Sequence, residues 1–191
     1  MCGRFGLTKD EDYLMKRFGV QKIVPDYRVS FNIKPSEKIA VILNTEPQKI
    51  RMVHWGYTPH WMKKESALEV INIREEGMDS KYFYKDSFYN RRCLILADMF
   101  YEWDKMKQAY KFFKKGEEAF AFPGLWDVFE GRIGCAIITA EANKLIKPVH
   151  ARMPVILDDT EEKAWLEKPK KKFKRLKDDM LDQSKVNEKI H

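Results

Sequence analysis

The chain has 191 residues, 44% hydrophobic and 34% charged, with a formal net charge of +7 at pH 7. That size and composition describe a single globular domain with a real core and a wet surface, and no apolar run reaches the roughly 20 residues of a membrane-spanning helix. Three cysteines (Cys2, Cys93, Cys135) and four histidines (His54, His60, His150, His191) show neither a CxxC pair nor metal-ligand spacing, so a disulfide framework and a zinc ribbon are excluded and no metal or cofactor is expected.

The opening residues, MCGRFGLTKDEDY, lack the continuous apolar core of a signal peptide, which predicts a cytoplasmic protein. Thr8-Lys9-Asp10-Glu11 has the capping-box spacing, and Tyr13, Leu14 and Phe18 share one helical face, so a helix is expected over about 9–18. After Pro25 the chain turns irregular through Phe31-Asn32-Ile33-Lys34-Pro35. Strand-like runs at 38–43 and 49–54, separated by Asn44-Thr45-Glu46-Pro47, read as a hairpin. Residues 55–61 form an aromatic loop punctuated by Gly56 and Pro59, and the aromatic stretch 80–89 reads as a short helix. Strands follow at 92–97, 99–104, 111–113, 119–122, 133–139 and 153–157. A helix opens at Asp159 with acidic residues in its first turn, as the helix dipole favours. Many short strands, few helices and no regular βα alternation define an α+β fold around a largely antiparallel, barrel-like β core. The positive charge permits a polyanionic partner, but much of it lies in the run 168–177, and such a run is often only a solvated face.

Cys2 is the first candidate for chemistry. Once Met1 is trimmed, its amine and thiol form a 1,2-aminothiol, which closes on an aldehyde to a thiazolidine. An α-amino group with a pKa of about 7.7–8.0 is partly neutral and nucleophilic at neutral pH. The bland alternative is a small residue at a frayed terminus. Asn72, Glu102 and His150 also stand out, each inside or beside apolar strand sequence. Strand alternation by itself puts Glu102 on the solvent face, His150 reads equally as a core histidine, and Asn72 as a turn or cap. Together they are the residue types that an amine attacking an aldehyde needs: a proton acceptor, a proton donor and a neutral hydrogen-bonding group.

The ordered motifs MCGRF, FNIKPSE (31–37), WGYTPHW (55–61), NIRE (72–75), RRCLILADMFYEW (91–103), GLWD (124–127), IITAEAN (137–143) and HARMPVIL (150–157) resemble those of the SRAP, or SOS-response-associated peptidase, family. The resemblance runs from residue 2 to about 166. It implies a monomer that binds single-stranded DNA at abasic sites and crosslinks to it through Cys2, shielding the lesion; in a bacterium it would act at the nucleoid. Matched by motif, Asn72 orients the amine and sugar, Glu102 handles protons at the amine and in ring closure and takes part in self-removal of Met1, and His150 assists sugar opening. Arg4, Arg74 and Arg152 match phosphate contacts, Trp61 the loop that wedges among bases, and Asn32 and Pro35 the loop lining the same cleft.

Two departures stand out. Ala151 occupies a position where the family usually has an acidic residue. The segment beyond Trp165-Leu166 is short, represented at most by Ser184-Lys185-Val186-Asn187, and the 168–177 run is a candidate for replacing lost contacts or binding DNA backbone. Two other functions stay open: a noncovalent single-stranded nucleic-acid-binding module in which Cys2 is incidental, and a cysteine protease pairing Cys2 or Cys93 with His150. Cys93, in an apolar strand, reads as packing.

Overall fold

The hairpin predicted at 38–54 starts a closed ring of strands. In a computed structural model, which describes residues 2–187, the elements in chain order are β1 (Phe5–Leu7), α1 (Glu11–Phe18), β2 (Lys22–Ile23), β3 (Ser30–Ile33), β4 (Lys38–Leu43), β5 (Lys49–Trp55), β6 (Asn72–Arg74), α2 (Tyr82–Asn90), β7 (Arg92–Ala97), β8 (Met99–Trp103), β9 (Ala109–Lys114), β10 (Phe120–Phe129), β11 (Arg132–Glu141), β12 (Arg152–Pro154), α3 (Asp159–Glu167) and β13 (Leu181–Lys185). β5, β4, β7, β10 and β11 pair antiparallel in that order, and β11 returns to β5 in parallel through Gly134 opposite His54 and Cys135 opposite Trp55. The ring closes only because residue 134 is glycine: a Cβ there would sit 2.0 Å from the carbonyl oxygen of Gly56. The expected α+β fold with a barrel-like core is borne out.

A second sheet, in the order β13-β9-β8-β1-β3, brings the amino terminus against the barrel. β1 lies between β8 and β3, pairing Phe5 with both Phe100 and Ile33. Phe5 points into the core, edge-on to Trp55 at 5.0 Å and to Phe122 at 5.9 Å between ring centroids. Edge-to-face aromatic contacts of this kind favour one fixed arrangement over a fluid one. β6 adds in parallel to β11, with Asn72, Ile73 and Arg74 opposite Ile137, Ile138 and Thr139.

The helices are secured at their ends. α1 is capped by Asp10, which accepts from the Tyr13 amide, and not by Thr8; the Thr8 amide and hydroxyl both donate to Asp98, at 2.8 and 2.6 Å. Thr8 therefore ties the chain after β1 to the turn before β8. The buried Arg92 guanidinium donates to the Phe88 and Tyr89 carbonyls at the end of α2, and to the Trp165 and Leu166 carbonyls at the end of α3. One cation thus satisfies orphan carbonyls at the negative ends of two helix dipoles. No helix among the described residues is long and apolar enough to cross a membrane.

The basic run at 168–177 is docked on the body of the protein. Lys170 pairs with Glu161, Lys171 with Asp79, Lys174 with Asp158 and Arg175 with Glu75, while Phe173 packs on Trp165 at 5.1 Å. Four of its seven cations thereby pair with carboxylates, and Lys168, Lys172 and Lys177 form no ion pair among the described residues. β13 then pairs with β9, so Ser184 and Lys185 end as an edge strand; residues 188–191, beyond the expected Ser184–Asn187 segment, lie outside the described residues.

Candidate functional site

Strand pairing makes the site. Because β1 is clamped by β8, the residues just before it run alongside Glu102: the Tyr101 amide donates to the Arg4 carbonyl at 2.9 Å. Because β6 adds to β11, Asn72 faces the same terminus, and its Nδ2 donates to the Cys2 carbonyl at 2.8 Å. Cys2 is fully buried, with Sγ 3.6 Å from the Arg4 carbonyl oxygen. The Oδ1 of Asn72, the other arm of the same amide, is buried and accepts no hydrogen bond among the described residues. An unmet buried acceptor costs about 1–3 kcal/mol, so it favours a donor delivered there.

Glu102 is only 3% exposed. The solvent-facing expectation fails because Glu102 lies two residues from Phe100, on the face of β8 that packs into the core. Burial raises the pKa of Glu102, and the positive charge of His150 works in the opposite direction. Burial also raises the pKa of the Cys2 thiol, and the negative charge of Glu102 raises it further. Thiol and carboxyl disfavour each other's ionised form, so a proton released by one has a natural acceptor in the other. Cys2, Asn72, Glu102 and His150 thus come together electrostatically or by direct contact, although they lie on four separate segments.

The expected DNA contacts divide. Arg4 Nη1 donates to Asn32 Oδ1 at 2.8 Å, joining two of them beside Cys2. Asn32 lies on β3, whose start is held by the Tyr101 hydroxyl donating to the Phe31 carbonyl at 2.9 Å. Pro35 is exposed in the turn after β3, beside Ser36 at a positive φ of 69°. Arg74 is exposed and forms no ion pair among the described residues. Arg152 is different: its guanidinium is bound bidentately by Glu76 and also donates to the Thr139 carbonyl.

Trp61 joins none of these. It packs on Tyr82 and Phe83 of α2, with centroids 4.7 and 6.0 Å away, and lines an open cavity of about 540 Å³ with His60, Tyr82, Lys85 and Tyr89. Nearby, His60 Nδ1 lies 3.0 Å from the buried carboxylate of Asp127, an arrangement the sequence does not announce. Thr139 and Glu76 were also missed. Thr139 is fully buried and its hydroxyl donates to the Ile73 carbonyl at 3.2 Å, fixing β6 to β11. Thr139 lies within the motif 137–143 and Glu76 directly follows the motif 72–75, and neither carries a further sequence signal.

A buried cysteine next to the amino terminus, its carbonyl held by an asparagine and its thiol within electrostatic reach of a buried carboxyl, sits on the α+β barrel. The sequence model of the SOS response associated peptidase (SRAP) family matches residues 1–191, and the chain belongs to that family. Abasic site processing protein YoqW of Bacillus subtilis is 36% identical over 179 residues, spanning 87% of this chain and 80% of that protein. Abasic site processing protein HMCES of Xenopus tropicalis is 27% identical, over 74% of this chain and 54% of its own length. Crystal structures of proteins from Bordetella bronchiseptica and Bacteroides thetaiotaomicron share the fold. Their TM-scores are 0.85 and 0.84 at 22% and 20% identity, covering 97% of this chain in each case and 100% and 92% of theirs.

Proposed function

We propose that this protein processes abasic sites in single-stranded DNA by forming a covalent thiazolidine between the lesion and Cys2. The observation that carries the reading is the hold on Cys2: its carbonyl is fixed by Asn72 Nδ2 at 2.8 Å while its thiol feels the charge of Glu102. The names of the relatives supply the lesion; the aminothiol supplies the reason it would be attacked.

In the chain beginning at Cys2, the neutral amine adds to the aldehyde carbon of the ring-opened deoxyribose. His150 assists that opening at the ring oxygen. The resulting carbinolamine loses water, with Glu102 or His150 supplying the proton to the departing hydroxyl, and an imine forms. The Cys2 sulfur then bonds to the imine carbon. Its proton passes by way of Glu102 to the nitrogen, the C=N double bond becomes a single bond, and the nitrogen ends as a ring amine. The balance is aldehyde plus aminothiol to thiazolidine plus one water. Asn72 Oδ1, buried without a donor among the described residues, suits an N–H of the amine or a sugar hydroxyl. A thiol with a raised pKa is no standing thiolate, which favours amine-first attack over a cysteine-protease mechanism.

Removal of Met1 fits the same groups, with Glu102 as the proton carrier for hydrolysis of the Met1–Cys2 peptide. Arg4 and Arg74 suit phosphate contacts. The exposed faces of Trp61, Tyr82 and Tyr89 suit sequence-tolerant stacking, worth roughly 1–3 kcal/mol per base. The test is to incubate the protein with a single-stranded oligonucleotide carrying one abasic site and run a denaturing gel. A slow band that survives heating and is lost in Cys2→Ala is expected; a band retained in Cys2→Ala would sink the mechanism and point to another nucleophile, and no band in the wild type would leave a noncovalent binding module.

A further inference from the structure

We propose that the turn joining β8 to β9, residues 104–108, is a DNA-contacting element of this chain: Met106 at its tip packs on a base flanking the abasic lesion, and Lys105 and Lys107 take the adjoining phosphates. The inference rests on the crosslinking reading for its ligand. Strand register puts the turn beside Cys2. β1 pairs with β8 through Phe5 opposite Phe100, and the Tyr101 amide donates to the Arg4 carbonyl, so the chain from Arg4 back to Cys2 runs toward Trp103 and the turn. The end of β3 lies at the same end of this sheet, since Ile33 is opposite Phe5, and so does the end of β13, since Lys185 is opposite Tyr110. Cys2 therefore has the Pro35 turn on one side and the 104–108 turn on the other. Neighbouring strands are about 4.8 Å apart, which puts the second turn within two or three nucleotides of Cys2 at about 3.4 Å per nucleotide.

The turn holds an exposed side chain in a fixed place. Asp104 Oδ1 accepts from the Met106 and Gln108 amides at 2.8 and 3.0 Å, Lys107 closes the turn at a positive φ of 64°, and Gln108 Nε2 donates to the Val186 carbonyl at 3.0 Å. Met106, at 87% exposed, is the most open of the large hydrophobic side chains among the described residues. It adds nothing to the core, yet it stands on backbone that is already ordered, so a contact at the tip carries little further entropy cost. Lys105 and Lys107 are exposed on either side of it, and neither forms an ion pair among the described residues. The carboxylate of the turn, Asp104, is occupied by its own amides. An apolar tip between two unpaired cations suits a ligand with flat apolar faces on an anionic backbone. An abasic strand offers such a face, because the missing base leaves its neighbour without a stacking partner, and methionine is among the side chains that wedge against bases.

The test is a binding titration of the full chain, at several salt concentrations, on two single-stranded oligonucleotides. One carries a tetrahydrofuran residue, an abasic analogue with no aldehyde; the other is the same strand intact. Met106→Ala is expected to lower affinity for the analogue strand about fivefold, the lower end of what stacking one base contributes. Its affinity for the intact strand and its salt slope stay as in the wild type. Met106→Phe, which offers a flat apolar face, holds the analogue strand at least as tightly as the wild type. The double variant Lys105→Ala/Lys107→Ala weakens both strands alike and reduces the salt slope by about 1.4, at roughly 0.7 for each phosphate of a single strand. These side chains are exposed, so the melting temperature of every variant is expected to match the wild type. A Met106→Ala variant that loses affinity for both strands equally, or for neither, overturns the proposal. So does a double lysine variant with the wild-type slope, or a wild type that holds the two strands equally. The analogue cannot form an adduct, so the titration is independent of the crosslinking chemistry. A wild type that shows the Met106-dependent preference but never crosslinks to a true abasic strand defeats the thiazolidine reading and supports the turn; one that crosslinks while Met106→Ala binds the analogue unchanged defeats the turn alone.

Discussion

Cys2 and Cys93 are both fully buried thiols, and burial raises the pKa of each. Their second-largest influences differ. At Cys2 it is the carboxylate of Glu102; at Cys93 it is the thiol of Cys135, in a core where Gly124 passes so close that a Cβ on it would come within 2.9 Å of the Cys93 sulfur. Burial therefore does not separate a nucleophile from packing. What separates them is a proton acceptor within electrostatic reach of Cys2 and, on the proposed function, the amine that removal of Met1 would free beside it.

Exchanging the two cysteines tests this most severely. Cys2→Ala is expected to abolish the heat-stable DNA adduct. Cys93→Ala is expected to retain it while costing about 1–3 kcal/mol of stability in denaturant unfolding, as a core truncation does. Loss of the adduct in Cys93→Ala with the fold intact would break the comparison. Acetylating the amine of the trimmed chain should match Cys2→Ala, because the reactive unit is the aminothiol.

Next comes the group that distinguishes the two thiols. Glu102→Gln is expected to slow adduct formation by about 10²–10⁴-fold, the usual worth of a placed acid–base group. It should also change stability in a pH-dependent direction. Burial holds the folded-state pKa of Glu102 above its unfolded value, so this group's contribution is fully present below the unfolded pKa and is lost as pH rises through the folded one. Glutamine is neutral throughout and avoids that loss. Urea unfolding should therefore show the variant more stable at pH 8, by about 0.5–2 kcal/mol, with no gain at pH 4. A variant destabilised at pH 8 would show that the carboxylate is held for structure.

The smallest effect concerns the arginines. Arg74→Ala is expected to lower affinity for undamaged single strands and reduce the salt slope by roughly one unit, without changing the crosslinking rate at saturation. Arg152→Ala is expected to reduce the slope less, since its guanidinium already pairs with Glu76. Binding titrations at several salt concentrations distinguish them.

Much of the fold was legible because it is local. The hairpin strands, the strand at 92–97 and the helix opening at Asp159 appear where apolar runs and acidic first turns put them. The strand read at 119–122 runs on to Phe129, because Pro123 and Gly124, breakers in isolation, are accommodated between β7 and β11. β1, β3 and β6 carry too few residues for any periodicity to show, and β13, Leu181–Lys185, is polar after its first residue; they are strands because distant partners complete their ladders.

The sequence by itself determined the chemical inventory: an aminothiol in waiting at Cys2, an asparagine, a glutamate and a histidine in ordered motifs, and the apolar strands that build a barrel. Only the tertiary structure decided what each polar group faces. It put Glu102 on the core-facing side of its strand, paired Arg152 with Glu76, and docked the 168–177 run on acidic partners. The physical reason is range. Strand and helix patterning is written in neighbours a few residues apart, whereas burial and ion pairing depend on which distant segments the closed sheet brings into contact.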